Sequence, residues 1–392
     1  MTIDINRIRA DTPGCEDLIH FNNAGAALTP APVLETVIGH LRREAEIGGY
    51  EAAAEAGNAT ARAYDSAARL VGGAADEIAF IENATRAWDM AFYGFNWQRG
   101  DRILTAQAEY VSNYIAYLQV AQRYGVEVVA VPDDEHGQIS VEALERLIDS
   151  RTRLIAITHI PTNGGLVNPA AAVGKIAKAH DIPFLLDACQ SVGQMPIDVD
   201  AIGCDMLSAT GRKYLRGPRG TGFLWVRRNW IEKLEPPFLD LHAATWTGPD
   251  SFEIQPDARR FENWETYVAG KLGLGAAIDY ALDLGLPAIR DAVYARATRL
   301  RNGLASLPAY TVQDKGVEKC GIVSFSGAGH DPADIKQALA DQKINVTVSR
   351  RSSTLLDMTA RNLETMVRAS VHYYNTDTEV DRFCEAIDAV AS

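Results

Sequence analysis

Seven short apolar runs constrain the architecture of this chain. They are Glu77–Ile81, Arg102–Thr105, Val128–Val131, Leu154–Thr158, Pro183–Asp187, Met206–Ala209 and Gly222–Val226. Helical spacing fills several of the gaps, at Ser112–Tyr124, Val141–Asp149 and Pro169–His180. A strand that is apolar at consecutive positions is buried on both faces, and intervening helices supply the cover. The pattern predicts an α/β fold with a mostly parallel, seven-stranded sheet. In such sheets ligands bind beyond the carboxyl ends of the strands. The residues that follow each run are therefore the ones to read for chemistry.

The rhythm stops after Val226. Residues 235–259 carry Pro236, Pro237, Gly248, Pro249 and Pro256 and read as a long loop. Helices are predicted near 268–284 and 287–307, strands at Ile322–Phe325 and Ile344–Val348, and helices at Pro332–Asp341 and Thr378–Val390. This is the pattern of a smaller α+β unit. The expected division is an N-terminal segment over 1–20 packing on the small domain, a large domain over 21–270, and a small C-terminal domain over 271–392.

The net charge of −13 argues against a broad nucleic-acid or anionic-membrane surface. A local basic cluster is then best read as a small anion site, and the arginines around Lys213 form one. The five cysteines are scattered and make no C-x-x-C pair, so neither a disulfide framework nor a structural zinc site is expected. The eight histidines have no ligand-like spacing, and no metal is expected. No signal-peptide core lies in residues 1–16 and no apolar run reaches membrane-spanning length. A cytoplasmic protein is expected.

Lys213 stands in Ser208-Ala209-Thr210-Gly211-Arg212-Lys213-Tyr214-Leu215-Arg216-Gly217-Pro218-Arg219-Gly220-Thr221-Gly222, and Asp187 closes a strand upstream. An amine beside cations and partly buried has a lowered pKa. A strand-end carboxylate can keep a pyridine nitrogen protonated, because opposite charge favours the charged form. The pair suits pyridoxal 5'-phosphate held as a Schiff base on Lys213, its ring nitrogen on Asp187. Asp187 could instead cap the next helix. Gln190 could reach the phenolic oxygen, while Thr210 and Arg212 offer a hydroxyl and a guanidinium fork to phosphate.

Four further segments follow strands or lie in one. Glu82-Asn83-Ala84-Thr85-Arg86-Ala87 opens a helix, so Ala84, Thr85 and Arg86 are candidate phosphate contacts; plain N-capping is the competing reading. Tyr110 could lie on a cofactor ring or simply pack in the core. Thr162 and Asn163 sit in a glycine-rich turn that could face the cofactor or merely connect strand to helix. Arg368, amid alternating residues, could clamp an α-carboxylate or form a surface ion pair.

Taken together these residues resemble the class V aminotransferase-like enzymes of fold type I, most of all the cysteine desulfurase and selenocysteine lyase branch. The similarity runs from Phe21-Asn22-Asn23-Ala24-Gly25 to Tyr374-Asn375-Thr376, and its most specific part is Asp187-x-x-Gln190 followed by Thr210-Gly211-Arg212-Lys213. It implies the Schiff base on Lys213, Tyr110 in place of the usual stacking histidine, and Asn23, Gly25 and Arg368 at the substrate. It also implies a homodimer with active sites at the interface. Three departures stand out. Residues 348–358, where the desulfurases carry a nucleophilic cysteine, have none. The histidine before the lysine is Arg212. The Gly-Thr that serves the partner's phosphate is Trp264-Glu265, where the Trp264 indole N–H could substitute.

The resemblance implies chemistry at the α-carbon of a small amino acid. Without the loop cysteine, β-elimination of the carbon–sulfur lyase kind ranks first, then transamination, then epimerisation. Arg350 and Arg351 could meet a second anionic group or simply be solvated. A silent cofactor-binding scaffold is the reading from another class, but it would need neither Lys213 nor Asp187.

Overall fold

The computed structural model describes residues 3–391. All seven apolar runs enter one sheet: β1 Ile78–Ile81, β2 Arg102–Ala106, β3 Glu127–Val131, β4 Thr152–Thr158, β5 Phe184–Asp187, β6 Met206–Thr210 and β7 Gly222–Val226. Their order across the sheet is β1-β7-β6-β5-β4-β2-β3. Only β7 runs antiparallel to its neighbours, β1 and β6; the other pairs are parallel. Leu104, Ile155, Leu186 and Leu207 fill one face, and Ile103, Leu154, Leu185 and Met206 the other, all fully buried. Both faces being covered explains why the runs lack polar alternation. Each such side chain contributes roughly 1.5–3 kcal/mol on burial, which makes the sheet a stiff platform for the groups at its ends.

Two local devices shape the carboxyl end of the sheet. The helix Ala84–Phe92 follows β1 closely, and Asn83 Oδ1 caps it by accepting from the Arg86 amide at 3.0 Å. Gly222 opens β7 in a crowded place: a Cβ there would lie 2.6 Å from the Ala209 carbonyl oxygen and 3.2 Å from the Ala84 nitrogen. Glycine is what lets β7 start between the end of β6 and the start of that helix.

A second, antiparallel sheet is built from the C-terminal part, in the order Tyr310–Val312, Ile322–Gly327, Thr365–Ser370, Thr347–Arg350. The single strand expected at 344–348 is two. Ile344–Asn345 pairs in parallel with Ile19–His20, and Thr347–Arg350 joins the antiparallel sheet. The break at Val346 lets one run serve two partners. The expected loop at 235–259 contains a hairpin, Ala244–Gly248 with Ser251–Ile254. Gly248 and Pro249, read as loop punctuation, mark the turn of that hairpin.

The arginines near Lys213 do not form one anion cluster. Arg216 turns inward and is 1% exposed. It donates to Thr12 Oγ1 at 2.6 Å, Leu28 O at 2.8 Å and the Tyr373 hydroxyl at 3.0 Å, and lies 4.6 Å from the Tyr374 ring centre. It therefore ties the lysine turn to the N-terminal residues and to the chain end. Among the described residues no single helix is long and apolar enough to cross a membrane, and no cluster of metal-ligand type occurs.

Candidate active site

The ends of β1, β5 and β6 surround two adjoining cavities. The inner one, about 80 Å³, is lined by Thr85, Tyr110, Asp187, Gln190, Thr210 and Lys213 among others. The outer one, about 420 Å³, shares Tyr110, Thr162, Arg212 and Lys213 with it and adds Asn22, Gly25 and Arg368. Asp187 is the last residue of β5, and Lys213 lies in the bend after β6. Burial lowers the pKa of the Lys213 amine, with Arg212 and Arg368 adding to the effect while Cys189 and Asp187 oppose it. Among the described residues the amine has no hydrogen-bond or ion-pair partner.

Asp187 is held from both sides. Its Oδ1 accepts from the Cys189 amide at 2.9 Å and its Oδ2 from Asn113 Nδ2 at 3.0 Å. The bond to Cys189 closes a local turn; no helix starts there, so the helix-capping alternative is overturned, and the next helix, Val199–Ile202, is capped by Asp198. Asn113 in turn donates to Glu109 Oε1 at 2.9 Å. Glu109 is buried and accepts from the Tyr110 amide at 2.9 Å, the Thr158 amide at 3.0 Å and the Thr105 hydroxyl at 3.0 Å, and from the Thr158 hydroxyl. Burial pushes the Glu109 carboxyl up to about 7, Asp187 adding to the rise and the donors opposing it. Neither Glu109 nor Asn113 was picked from the sequence. Their spacing of four in the first turn after β2 was the one local signal.

Arg368 is buried, 7% exposed, and has no carboxylate partner among the described residues. Its Nη1 donates to Thr162 O at 2.9 Å and to Thr162 Oγ1 at 2.8 Å, while Nη2 lies 3.4 Å from Asn22 Oδ1. Its Nε has no partner among the described residues. Burial, with Arg212 nearby, lowers its pKa to about 10. The surface ion pair allowed by the sequence is thus overturned: this is a buried cation open to an external anion.

The remaining expected residues divide. Ala84, Thr85, Thr162, Gln190, Thr210 and Arg212 line the inner cavity, and Arg212 also donates to the Gly25 carbonyl. Arg86 turns outward to Glu82 and Asp89 and over Phe238. Asn163 lines the outer cavity and not the inner one; its amide is committed to Arg350 O at 3.1 Å and Thr354 Oγ1 at 3.0 Å. Asn23 is buried against His20 O and Ser370 O, and its neighbour Asn22 faces the cavity instead. Gly25 lines the outer cavity. Arg350 is exposed and outside it, and Arg351 pairs with Glu364 at 2.6 Å. Trp264 is 49% exposed and lines neither cavity of its own chain.

These groups fit pyridoxal 5'-phosphate. An aldehyde needs a free amine, and Lys213 has one with a depressed pKa. A pyridinium nitrogen needs a fixed carboxylate, and Asp187 is fixed twice over. A phosphate needs a helix start and hydroxyls, which Ala84–Thr85 and Thr210 provide. Buried Gln190 Oε1 has no partner among the described residues, an acceptor open to a donor on a bound molecule.

The family model for class-V aminotransferases matches residues 19–383. A probable cysteine desulfurase of Methanothermobacter thermautotrophicus is 29% identical, with 98% of this chain and 97% of that protein covered. The apo structure of cysteine desulfurase from Thermococcus onnurineus NA1 is similar with a TM-score of 0.92 at 26% identity, covering 100% of this chain and 98% of that one. The complex between the cystine C–S lyase C-DES and its product cysteine persulfide shares the fold, with a TM-score of 0.85 at 22% identity over 96% and 99% of the two chains.

Proposed function

Because the chain belongs to the class-V aminotransferase family, we propose that it is a carbon–sulfur lyase releasing a sulfur leaving group from the β-carbon of an amino acid. It is a pyridoxal 5'-phosphate-dependent enzyme; bound on Lys213, the cofactor supplies an electron sink for the substrate's α-carbon. Asp187 keeps the sink's ring nitrogen charged, held in place by Asn113. Arg368 takes the α-carboxylate and so aims the Cα–H bond. Burial lowers the pKa of Lys213, which favours the neutral amine needed to accept that proton.

The observation that carries elimination is the lining of the outer cavity. Ser349 and Ser353 stand on the segment where a desulfurase nucleophile belongs, and residues 348–358 hold no cysteine. Cys189 lines the inner cavity, but burial raises its thiol pKa far above the ordinary value, and Asp187 adds to the rise. A protonated thiol is a poor nucleophile. In this reading Lys213 removes the α-proton, the freed pair becomes the Cα=Cβ bond, and the Cβ–S pair departs on sulfur, which no thiolate is placed to capture.

The active unit in this reading is a homodimer. Leu241, Trp246, Phe252, Trp264 and Tyr267 are exposed by 70, 79, 59, 49 and 45% along residues 241–267, a run of large apolar side chains that a second protomer would cover. Sedimentation should give twice the chain mass.

The test begins with the purified holoenzyme. Borohydride should fix the cofactor on the Lys213 peptide. L-cystine and S-substituted cysteines should then yield pyruvate and ammonia in equal amounts. A keto acid that keeps its sulfur would indicate transamination, inverted amino acid epimerisation, and alanine with enzyme-bound persulfide a desulfurase; each would overturn the reading.

A further inference from the structure

The chain carries an excess of acid, yet the outer cavity is lined by Arg212, Lys213, Arg219 and Arg368 and by no aspartate or glutamate. Several arginines elsewhere are paired with acids, as Arg301 is with Asp314 at 2.7 Å and Arg299 with Asp381 at 2.7 Å. Arg212, Arg219 and Arg368 have no acidic partner among the described residues. Cations gathered without counter-ions raise the local concentration of anions and bind them when they arrive. The cavity is therefore built for anions that come from outside.

Counting those anions isolates one arginine. On the functional reading above, the cofactor phosphate takes Thr85, Thr210 and Arg212, all on the inner cavity, and the substrate's α-carboxylate takes Arg368. Arg219 lines only the outer cavity and remains unclaimed. Arg219 is exposed at the cavity's edge, and buried Ser349 and half-buried Ser353 line the same cavity with hydroxyl groups. Arg350, the sequence's candidate for a second anion, is outside the cavity.

We propose that Arg219, with Ser349 and Ser353, forms a subsite for a second anionic group on the substrate side chain, a carboxylate or an oxidised-sulfur anion. The inference rests on the functional reading and narrows its substrate class to amino acids whose leaving group is itself anionic. A guanidinium fork matches such groups in two-point geometry, which a single ammonium does not.

Unreactive ligands test this on the holoenzyme. Succinate and butyrate have the same carbon count and differ by one carboxylate. Succinate should bind about tenfold more tightly than butyrate, read by calorimetry and by the shift of the cofactor's absorbance. Arg219→Gln should abolish that preference while leaving the butyrate affinity and the cofactor content as they were. Arg219→Lys should restore part of the preference. Equal affinities in the native enzyme, or a preference that survives Arg219→Gln, would overturn the subsite alone. Loss of cofactor from Arg219→Gln would place Arg219 on the phosphate and also overturn it. A native protein that retains no pyridoxal phosphate at all would bring down the functional reading and this one with it.

Discussion

Asn113 donates to Asp187 across 3.0 Å, joining the first turn of one helix to the end of β5. The same amide group donates to Glu109, so one side chain links a strand-end carboxylate to a buried carboxylate behind it. Asp187 then has a fixed orientation before any ligand arrives, which costs nothing at the moment of reaction.

Asn113→Ala should leave Asp187 with the Cys189 amide as its one partner. Cofactor affinity should fall, and kcat should drop by up to about 100-fold, as small misplacements of reacting groups do. Asn113→Asp should be worse, because it sets three carboxyl groups side by side. Fluorescence titration of the cofactor separates weaker binding from slower turnover.

Glu109 predicts a pH dependence of stability. Its carboxyl titrates near 7 in the folded chain against an ordinary value of 4.5. The folded state therefore holds a proton that the unfolded state has already lost. Its contribution is fully present below pH 4.5 and declines as pH rises through 7, by something like 3 kcal/mol. Urea melts at pH 5 and pH 7.5 should show the decline in the native chain. Glu109→Gln should be less stable at both, because an amide N–H would face the Tyr110 or Thr158 amide, and its decline should vanish.

Arg216→Met should destabilise the fold by about 3 kcal/mol or more, since it strips charged donors from Thr12, Leu28 and Tyr373 in a buried setting. The loss should appear in the urea midpoint. Cofactor chemistry in the fraction that stays folded should be near normal, since Arg216 points away from Lys213.

Gly222→Val should cost about 1–3 kcal/mol through overpacking against Ala209 and the start of helix Ala84–Phe92. Because that helix start faces the inner cavity, the variant should also release pyridoxal phosphate on dialysis faster than the native protein. Gly100→Ala, where a Cβ meets nothing within 4 Å but φ is +91°, is the control: strained backbone, unchanged cofactor retention.

Periodicity and strand-end position are local properties, and they made much of this protein legible from its residues. Seven unbroken apolar runs specified a sheet covered on both faces. Asp187 at the end of one run, and Thr210 and Lys213 after the next, meet at one cavity because parallel strands end on the same side. What the chain order could not supply was phase and partnership. Local spacing did not decide that Asn22 rather than Asn23, and Thr347 to Ser349 rather than Arg350, line the cavity. A one-residue choice of that kind depends on which strand pairs with which, here Thr347 opposite Arg368. The bond from Asn113 to Asp187 spans 74 residues, and the burial of Arg216 depends on elements from both ends of the chain. Only packing of distant segments brings such groups within hydrogen-bond range, so only the tertiary structure could decide them.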